Sequence, residues 1–160
     1  MTDDEKFMAE ALAEAKKGLA EGEVPIGAVA VKDGAIVARG HNQRNALSDI
    51  TAHAEMMCLR DLSSRDLDFD LSNITIYSTL EPCPMCTGAM IHYKIAKVVF
   101  GEIDIIVGAC GSKFKFNEKA GLKADSGILR HECRKILLDY FESQLGHKSN
   151  RWMDIELPAI

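Results

Sequence analysis

The chain of 160 residues has little that would suit a membrane or an export pathway. No apolar run approaches the ~18 residues of a membrane-spanning helix, and the opening MTDDEKF is acidic, unlike the start of a secretory signal. Low-complexity tracts are also missing, and the composition, with 47% hydrophobic and 27% charged residues, is typical of a globular protein. We therefore expect a cytoplasmic protein with no membrane partner, in which residues 1–160 form a single domain.

An excess of positive charge is missing as well, since the formal net charge is −5. Proteins that bind nucleic acids usually present a basic face, because neutralising phosphates supplies most of the affinity. A local basic patch could still form on such a chain. The overall balance nevertheless disfavours a large nucleic acid as the partner.

Cysteine is too scarce and too unevenly placed for a disulfide framework. There are five cysteines, an odd number, and three of them stand alone. Cys83 and Cys86 are close in sequence, in the C-x-x-C spacing of metal ligands and redox pairs. In a chain with no export signal, this pattern indicates reduced thiols, with a metal bound by the close pair.

The hydrophobic pattern predicts helices that alternate with a short series of strands. Residues 2–21 have the periodicity of an amphipathic helix opened by a capping box at Thr2, and residues 26–40 are typical of a hairpin that turns at Asp33-Gly34. Further strands are predicted at 73–79 and 97–103, and residues 104–109 are apolar enough to extend the strand at 97–103. Further helices are predicted to begin at about residue 53 and to cover 84–95 and 127–145. This order predicts an α/β fold with a mixed sheet between helices.

His53, Cys83 and Cys86 offer the imidazole nitrogen and the thiolates that zinc prefers. A catalytic zinc site has three protein ligands and keeps its fourth position for water. Both segments are typical of helix starts, where backbone N–H groups and the helix dipole favour thiolates. Glu55, two residues after the histidine, could hydrogen-bond the water. The pattern predicts one zinc ion per chain, with Glu55 placed to hydrogen-bond its water.

The C-x-x-C pair also admits simpler explanations. A structural zinc would need a fourth protein ligand, for which Cys110 and His92 are the available candidates. A thioredoxin-like redox pair would need no upstream His-x-Glu. The complete set with His53 and Glu55 favours catalysis, and a non-catalytic zinc-stabilised binding module is kept as a minor alternative.

The segments HAE (53–55) and PCPMC (82–86) together match the H-x-E…P-C-x-x-C signature of zinc deaminases. With GEVPIGAVAVKDG (22–34), TAHAEMMCLR (51–60) and GACGS (108–112), they resemble the cytidine/deoxycytidylate deaminase superfamily. The resemblance covers nearly the whole chain. Its nearest branch is that of the bacterial tRNA adenosine deaminases, followed by the fungal-type cytosine deaminases.

The resemblance implies a three-layer α-β-α sandwich with a mixed sheet of about five strands, usually in a homodimer. It assigns zinc to His53, Cys83 and Cys86, and proton transfer to Glu55. It also gives Asn42 the task of hydrogen-bonding the base. The implied reaction replaces the amino group of a base by a keto oxygen and releases ammonia.

The substrate prediction depends on where the chain departs from the tRNA editors. Ile50 stands where they have proline, Thr87 matches the cytosine deaminases, and the editors' basic C-terminal end is missing. In its place, RWMDIE resembles the segment that closes over the base in free-base deaminases. By that resemblance Trp152 caps the ring and Asp154 accepts a hydrogen bond from the amine, with Glu156 as a substitute.

Two of the expected substrate contacts have ordinary alternatives. A terminal tryptophan such as Trp152 commonly packs on the core, and in KFKF the residues Phe114 and Phe116 fit an alternating edge strand as well as a pocket wall. We count Phe114 among the expected substrate-binding residues. The sequence predicts a zinc-dependent hydrolytic deaminase that acts on a free base or small nucleoside, with cytosine as the first candidate substrate and guanine as the second. The alternative substrate is tRNA, in which adenosine becomes inosine in the anticodon.

Overall fold

The computed structural model describes residues 1–65 and 71–145, in which six helices and five strands alternate. In chain order they are α1 (Asp3–Ala20), β1 (Gly27–Lys32), β2 (Ala35–His41), α2 (Arg44–Leu47), α3 (Ala54–Ser64), β3 (Ile74–Leu80), α4 (Pro84–His92), β4 (Lys97–Glu102), α5 (Phe116–Ala120), β5 (Lys123–Ser126) and α6 (Arg130–Leu145). Over these ranges, no helix has the length and the apolar character needed to cross a membrane.

The local signals at the start of the chain act as predicted. The hydroxyl of Thr2 accepts a hydrogen bond from the backbone N–H of Glu5 at 3.2 Å, while the Glu5 carboxylate accepts the Thr2 N–H at 2.8 Å. This capping box satisfies two N–H groups that the first turn of α1 leaves free. Asp33 and Gly34 both have positive φ, 51° and 76°, which is the geometry of a two-residue hairpin turn between β1 and β2.

The five strands form one mixed sheet in the order β2-β1-β3-β4-β5. β1 pairs antiparallel with β2 and with β3, whereas β4 lies parallel to both β3 and β5. The register of the hairpin shifts between Ala30 and Val31, which is where β2 has an extra residue. The predicted α/β class and the five-stranded mixed sheet are confirmed.

Helices cover both faces of this sheet, as the period-2 alternation of the strands requires. One face packs against α3 and α4 through a buried cluster that includes Ala28, Ala30, Cys58, Leu59, Ile74, Ile76, Met90, Val98 and Phe100. The opposite face packs against α1 and α6 through Met8, Ala11, Leu12, Val29, Val31, Tyr77, Val99 and Cys133. The three layers of the predicted α-β-α sandwich are therefore present.

A glycine sets how closely α3 approaches the sheet. Gly40 lies in β2, and a Cβ atom placed on it would meet the Ala54 carbonyl oxygen at 2.5 Å and the Met57 carbonyl carbon at 2.8 Å, with the Cys58 nitrogen closer still. All three atoms belong to the backbone of α3, so no side chain could rotate away. The N-terminal turn of α3, which follows His53 and contains Glu55, is thus held directly against β2.

Three segments differ from the sequence-based expectation. Residues 104–109 do not extend β4, because the backbone N–H groups of Ile106 and Val107 donate to the Asp104 carboxylate and turn the chain. The polar segment 40–50, in which the hydrophobic pattern predicts neither a helix nor a strand, contains the short helix α2. The segment between 113 and 126 holds α5 and β5, and Phe116 begins α5 instead of lying in an edge strand.

The missed fifth strand has a physical explanation. β5 is only four residues long, its sequence is KADS, and it pairs with β4 alone at the edge of the sheet. A short polar edge strand carries almost no periodic signal, and its place is decided by the free edge of β4. The predicted roles of Trp152, Asp154 and Glu156 lie outside the described residues.

Candidate active site

The fold brings the carboxyl ends of β3 and β4 to one edge of the sheet, as parallel strands require. There the backbone N–H of Glu81 donates to the Glu102 carbonyl oxygen at 2.8 Å. The end of β2 reaches the same edge, since the Asn42 N–H donates to the Ile26 carbonyl at 3.2 Å. Residues that follow three strands are therefore collected in one place, which is where ligands bind in open α/β sheets.

Two helices begin at this edge, and each begins with a candidate metal ligand. His53 is the N-cap of α3 and Cys83 is the N-cap of α4, and neither side chain makes a capping hydrogen bond. Both side chains are thereby available to a third partner. The helix N-termini add partial positive charge, which favours thiolates over thiols at Cys83 and Cys86.

The three predicted ligand atoms converge. His53 Nδ1 lies 3.6 Å from the Sγ atoms of both Cys83 and Cys86, and all three atoms lie within 4.8 Å of one another. Zinc bonds of about 2.1 Å to nitrogen and about 2.3 Å to sulfur at tetrahedral angles place N and S about 3.6 Å apart. The donor set therefore fits zinc in chemistry and in spacing.

The cluster offers three protein ligands, within the part of the chain that the structure describes. Neither Cys110 nor His92, the candidates for a fourth ligand, belongs to it. The Sγ atom of Cys110 lies instead 3.3 Å from the Thr87 hydroxyl, in the buried interior. Three ligands with a free fourth position are the pattern of a catalytic zinc site rather than a structural one.

The two thiols differ sharply in acidity. A hydrogen bond from Cys86, supported by one from His53, lowers the pKa of Cys83 to about 4. The same contact with Cys83, together with burial, raises the pKa of Cys86. The hydrogen bond to Cys83 also raises the pKa of His53. Because zinc binds cysteine as the thiolate, metal binding displaces the protons that these two thiols carry.

Glu55 lies beside this cluster and is 4% exposed. The Ser78 hydroxyl donates to its Oε1 at 3.1 Å, and the Cys86 thiol faces its Oε2 at 3.6 Å. Burial, together with the charge on Cys83, raises the pKa of the Glu55 carboxyl. A raised pKa makes this carboxyl a stronger proton acceptor than an ordinary glutamate, which suits it to accept and return a proton.

Asn42 is also buried at the site, and its amide has a fixed orientation. Its Oδ1 accepts the backbone N–H of Ala54, the first residue of α3, at 2.8 Å. Because this bond uses the carbonyl side of the amide, the Nδ2 group is the part left to donate to a ligand. Asn42 lines the same cavity as His53 and Glu55, and its expected hydrogen bond to a base stays a prediction.

These residues line a cavity of about 250 Å³. Its polar wall contains Asn42, His53, Glu55 and Cys83, and its apolar wall is formed by Val24, Ile26, Leu80, Val107, Leu137 and Phe141. Phe114 is not part of this lining and stacks on Phe116, with ring centroids 5.3 Å apart and 37% of Phe114 exposed. Its predicted contact with the substrate stays a prediction.

Sequence reasoning missed several residues of the cavity, of which Glu81 is the most constrained. Burial raises the pKa of the Glu81 carboxyl to about 7, against the opposing hydrogen bonds of Ser112. Its Oε1 accepts the Ser112 hydroxyl, and its Oε2 occupies the space where any side chain at Gly108 would have to lie. Glu81 thus holds the GACGS loop against the start of α4. The only available signal was its place directly before the PCPMC motif.

The cavity residues Arg44, Leu137 and Phe141 were missed for a different reason. Arg44 lies in the polar segment 40–50, which carries no periodic signal, and the two apolar residues lie in α6, 84 and 88 positions after His53. An amphipathic helix has an apolar face whether it lines a cavity or only the core. No local pattern distinguishes the two cases.

Comparison with known proteins agrees with this geometry. Residues 1–102 match the family described as the cytidine and deoxycytidylate deaminase zinc-binding region. The tRNA-specific adenosine deaminase of Bacillus subtilis is 43% identical over 147 residues, which are 88% of this chain and 90% of that protein. The protein of the same name from Haemophilus influenzae is 42% identical over 150 residues, 91% of this chain and 87% of its own.

Two further relatives extend the comparison. The chloroplastic tRNA(adenine(34)) deaminase of Arabidopsis thaliana is 40% identical over 161 residues, and the match spans 12% of that longer protein. A solved structure from a study of A-to-I editing by tRNA:A34 deaminases at the wobble position superposes with a TM-score of 0.73 at 36% identity, and the match covers 82% of this chain and 99% of the other.

These findings correct the substrate prediction. The free-base prediction, cytosine first, is wrong, because relatives that match most of the chain at about 40% identity are named as tRNA adenosine deaminases. Departures such as Ile50 and Thr87 are single positions, and a net charge of −5 does not report the charge near one cavity. The chain belongs to the cytidine and deoxycytidylate deaminase family and is a zinc-binding hydrolytic deaminase.

Proposed function

We propose that the protein is a tRNA adenosine deaminase that converts adenosine to inosine at the first position of the anticodon. The observation that carries this proposal is the similarity to two bacterial tRNA-specific adenosine deaminases, at 43% and 42% identity over nearly the full length of both chains. The similarity to a structure from work on A-to-I editing at the wobble position supports the same substrate.

We assign the metal to His53, Cys83 and Cys86, whose donor atoms have the spacing of tetrahedral ligands. When bound there, zinc lowers the pKa of a water molecule to about 7, so that the water is a nucleophile at neutral pH. The N-termini of α3 and α4 add partial positive charge at the same point.

Glu55 moves the protons in the proposed reaction. Its carboxyl is held at the cavity by the Ser78 hydroxyl. From there it takes one proton from the attacking water and passes it to the ring nitrogen next to the amino-bearing carbon, while the carbon–oxygen bond forms at that carbon. It then takes the remaining proton from the added hydroxyl and passes it to the amine as the carbon–nitrogen bond breaks, so that the products are inosine and ammonia.

Asn42 orients the base. Since its Oδ1 is used by the Ala54 N–H, its Nδ2 donates to an acceptor nitrogen of the adenine ring. Opposite it, Leu137 and Phe141 offer an apolar surface to the ring. The base would thus be held by one directed hydrogen bond and by apolar contact, in the manner usual for small-ligand cavities.

The homodimer and the cytoplasmic location stay predictions. One relative is a chloroplast protein, so the compartment differs among similar chains. The reaction as proposed uses residues of one chain only.

The proposal is tested with zinc-loaded protein and an RNA anticodon stem-loop that has adenosine at the first anticodon position. Inosine is measured by mass spectrometry of the digested RNA, and ammonia by a coupled assay, with cytosine and guanine as competing small substrates. We expect inosine in the stem-loop, and a fall of about 10²- to 10⁴-fold in rate for Glu55→Gln, because general acid–base catalysis contributes that much.

The zinc content of Glu55→Gln serves as its control. The variant should hold zinc as the unmodified protein does, since the assigned ligands are His53, Cys83 and Cys86. Release of ammonia from a free base together with no inosine in the stem-loop would refute the proposal. Normal turnover by Glu55→Gln would refute the assigned proton transfer.

A further inference from the structure

A buried carboxylate lies at the end of β4, at the same edge of the sheet as the catalytic cavity. Glu102 is the last residue of the strand, and only 1% of it is exposed. Its Oε1 accepts hydrogen bonds from the Ile103 backbone N–H at 2.8 Å and from Arg130 Nε at 3.0 Å. Its Oε2 lies 3.6 Å from Arg134 Nη1. One carboxylate thus faces two guanidinium groups from the start of α6, and the three side chains are hereafter the Glu102 triad.

Stability alone does not account for the Glu102 triad. Removing a carboxylate from water is costly, and attraction to its partners offsets that cost only where the remaining polar atoms are hydrogen-bonded. Within residues 1–65 and 71–145, Glu102 Oε2 and Arg130 Nη2 are both buried without a hydrogen-bond partner. Apolar side chains of similar volume are often at least as stabilising as such a group. What the charged contacts add is direction, because two of them one turn apart fix both the height and the rotation of α6.

A close contact holds α6 at the preceding residue of β4 as well. A Cβ atom placed on Gly101 would lie 2.3 Å from the Sγ atom and 2.8 Å from the Cβ atom of Cys133. Cys133 lies between the two arginines of the Glu102 triad in the sequence of α6. The first turns of the helix are therefore fixed to the end of β4 by direct packing and by charge.

The cavity residues of α6 continue the row that the two arginines begin. Positions 130, 134, 137 and 141 are separated by four, three and four residues, which places them along one face of the helix. Leu137 and Phe141 line the catalytic cavity, and Leu137 is buried with Leu80 at the end of β3. The contacts that fix the start of α6 therefore also fix how far these two side chains reach into the cavity.

The backbone of Glu102 holds another side of the same cavity. Its carbonyl oxygen accepts the backbone N–H of Glu81 at 2.8 Å. Glu81 lines the cavity and lies two positions before Cys83, an assigned zinc ligand. One residue thus binds the segment that leads to the metal site through its backbone, and the helix that carries part of the apolar wall through its side chain.

We propose that Glu102 is a positioning residue, which acts through Arg130 and Arg134 to set the width of the cavity and so the fit of the base. Glu102 does not itself line the cavity. It acts by holding Phe141 at the distance at which the ring of the side chain contacts the ring of the base. This inference rests on the proposed function, because the base to be held is the adenine of the target adenosine.

The test compares Glu102→Gln with a matched variant, Asp139→Asn. Both replace a carboxylate by an amide in an ion pair of α6, but Asp139 pairs with Lys135 on the surface, where the two side chains are 59% and 62% exposed. For inosine formation in the anticodon stem-loop, Glu102→Gln should raise KM by about fivefold, the lower end of the range for loss of one base–aromatic contact.

The turnover number and the zinc content of Glu102→Gln should stay unchanged, since Glu55 and the assigned zinc ligands lie outside α6. A rise in KM at constant kcat is the result expected when binding of the base is weakened in the ground state and the transition state alike. Asp139→Asn should leave both constants unchanged. An unchanged KM in Glu102→Gln, or an equal rise in Asp139→Asn, would overturn the positioning role.

A double-mutant cycle separates positioning from a general loss of stability. Phe141→Ala removes the ring through which Glu102 acts, and should by itself raise KM by about 5- to 150-fold. In that background, Glu102→Gln should raise KM by less than about twofold, because changes that act through one contact are not additive. Its effect on the unfolding temperature should persist. Effects on KM that multiply fully would refute the assignment.

Two further measurements cover the remaining cases. If Glu102→Gln does not fold, Arg130→Gln replaces it, since Arg134 still faces the carboxylate, and the same rise in KM is expected. Absence of inosine with the unmodified protein would contradict the proposed function itself. The positioning role is then decided by crystal structures, in which Phe141 should lie farther from Asn42 in Glu102→Gln than in the unmodified protein. An unchanged separation would overturn the inference.

Discussion

Replacement of Gly40 by alanine tests whether close contact between β2 and α3 positions the active site. The added Cβ would lie 2.5 Å from the Ala54 carbonyl oxygen and 2.8 Å from the Met57 carbonyl carbon. Ordinary contact begins at 3.4 Å, so α3 must retreat by about 1 Å if the surrounding core stays close-packed. The helix carries Glu55 near its first turn, and His53 is its N-cap.

The expected cost follows from overpacking. Extra methyl groups in a packed core usually cost about 1–3 kcal/mol, and the upper end applies because the obstructing atoms are backbone. For a chain of this size, about 3 kcal/mol lowers the unfolding temperature by roughly 6–12 °C. A displacement of about 1 Å at the reacting groups lowers the rate by about 10²-fold. Gly40→Ala should therefore lose stability and turnover together.

The assay measures the thermal unfolding, zinc content and inosine formation of three proteins. The three proteins are the unmodified chain, Gly40→Ala, and the control variant Gly88→Ala, which carries the same chemical change. Gly88 lies within α4, and nothing lies within 4 Å of its potential Cβ. An alanine there should stabilise by about 0.5–1 kcal/mol, since alanine favours helix over glycine. If Gly40→Ala unfolds and reacts like the unmodified protein, α3 does not pack on β2 as described.

Three further predictions concern the metal, the base and the pH dependence of stability. Elemental analysis should show that Cys83→Ser has lost most of its zinc and that Cys110→Ser has retained it, because Cys110 lies outside the ligand cluster. Equal zinc in the two variants would contradict the ligand assignment. Asn42→Asp should unfold near the normal temperature, because a carboxylate still accepts the Ala54 N–H. Its kcat/KM should fall by at least about tenfold, because the donor to the base is gone. An unchanged kcat/KM would show that Asn42 does not bind the base. Burial tends to raise the pKa of Glu14, but its hydrogen bonds with Lys17 and His41 outweigh this and hold the pKa below 4.5. A lowered pKa stabilises the fold above 4.5 and the stabilisation disappears as the pH falls through the folded-state value. Glu14→Gln should therefore cost about 1.5–3 kcal/mol in urea unfolding at pH 7, with the difference shrinking below pH 4.5; a constant difference would refute the role of the charge.

The fold could be read from the sequence wherever the signal is local. The capping box at Thr2, the Asp33-Gly34 turn and the apolar strands at 73–79 and 97–103 all appear close to their predicted places. Each depends on residues within a few positions of one another, so short-range chemistry is sufficient. The extension over 104–109 failed because the carboxylate of Asp104 competes for the backbone and turns it, and composition alone does not reveal that.

The substrate could not be read in the same way. Net charge and the acidic C-terminal segment indicated a small base, while the relatives indicate tRNA. Net charge sums over the whole surface, whereas binding depends on the few charges at a groove, and screening removes the influence of the rest within about 10 Å.

The sequence by itself predicted the candidate ligand set, because metal chemistry restricts it to few residue types. His53, Cys83 and Cys86 could be proposed as zinc ligands, with Glu55 beside them, before any contact was known, and the fold brings the three donor atoms within 4.8 Å of one another. Only the tertiary structure decided what surrounds them: Glu81 against Gly108, and α6 placing Leu137 and Phe141 in the wall of the cavity. These contacts join segments tens of residues apart, so they depend on how the layers pack and leave no periodic trace in the chain.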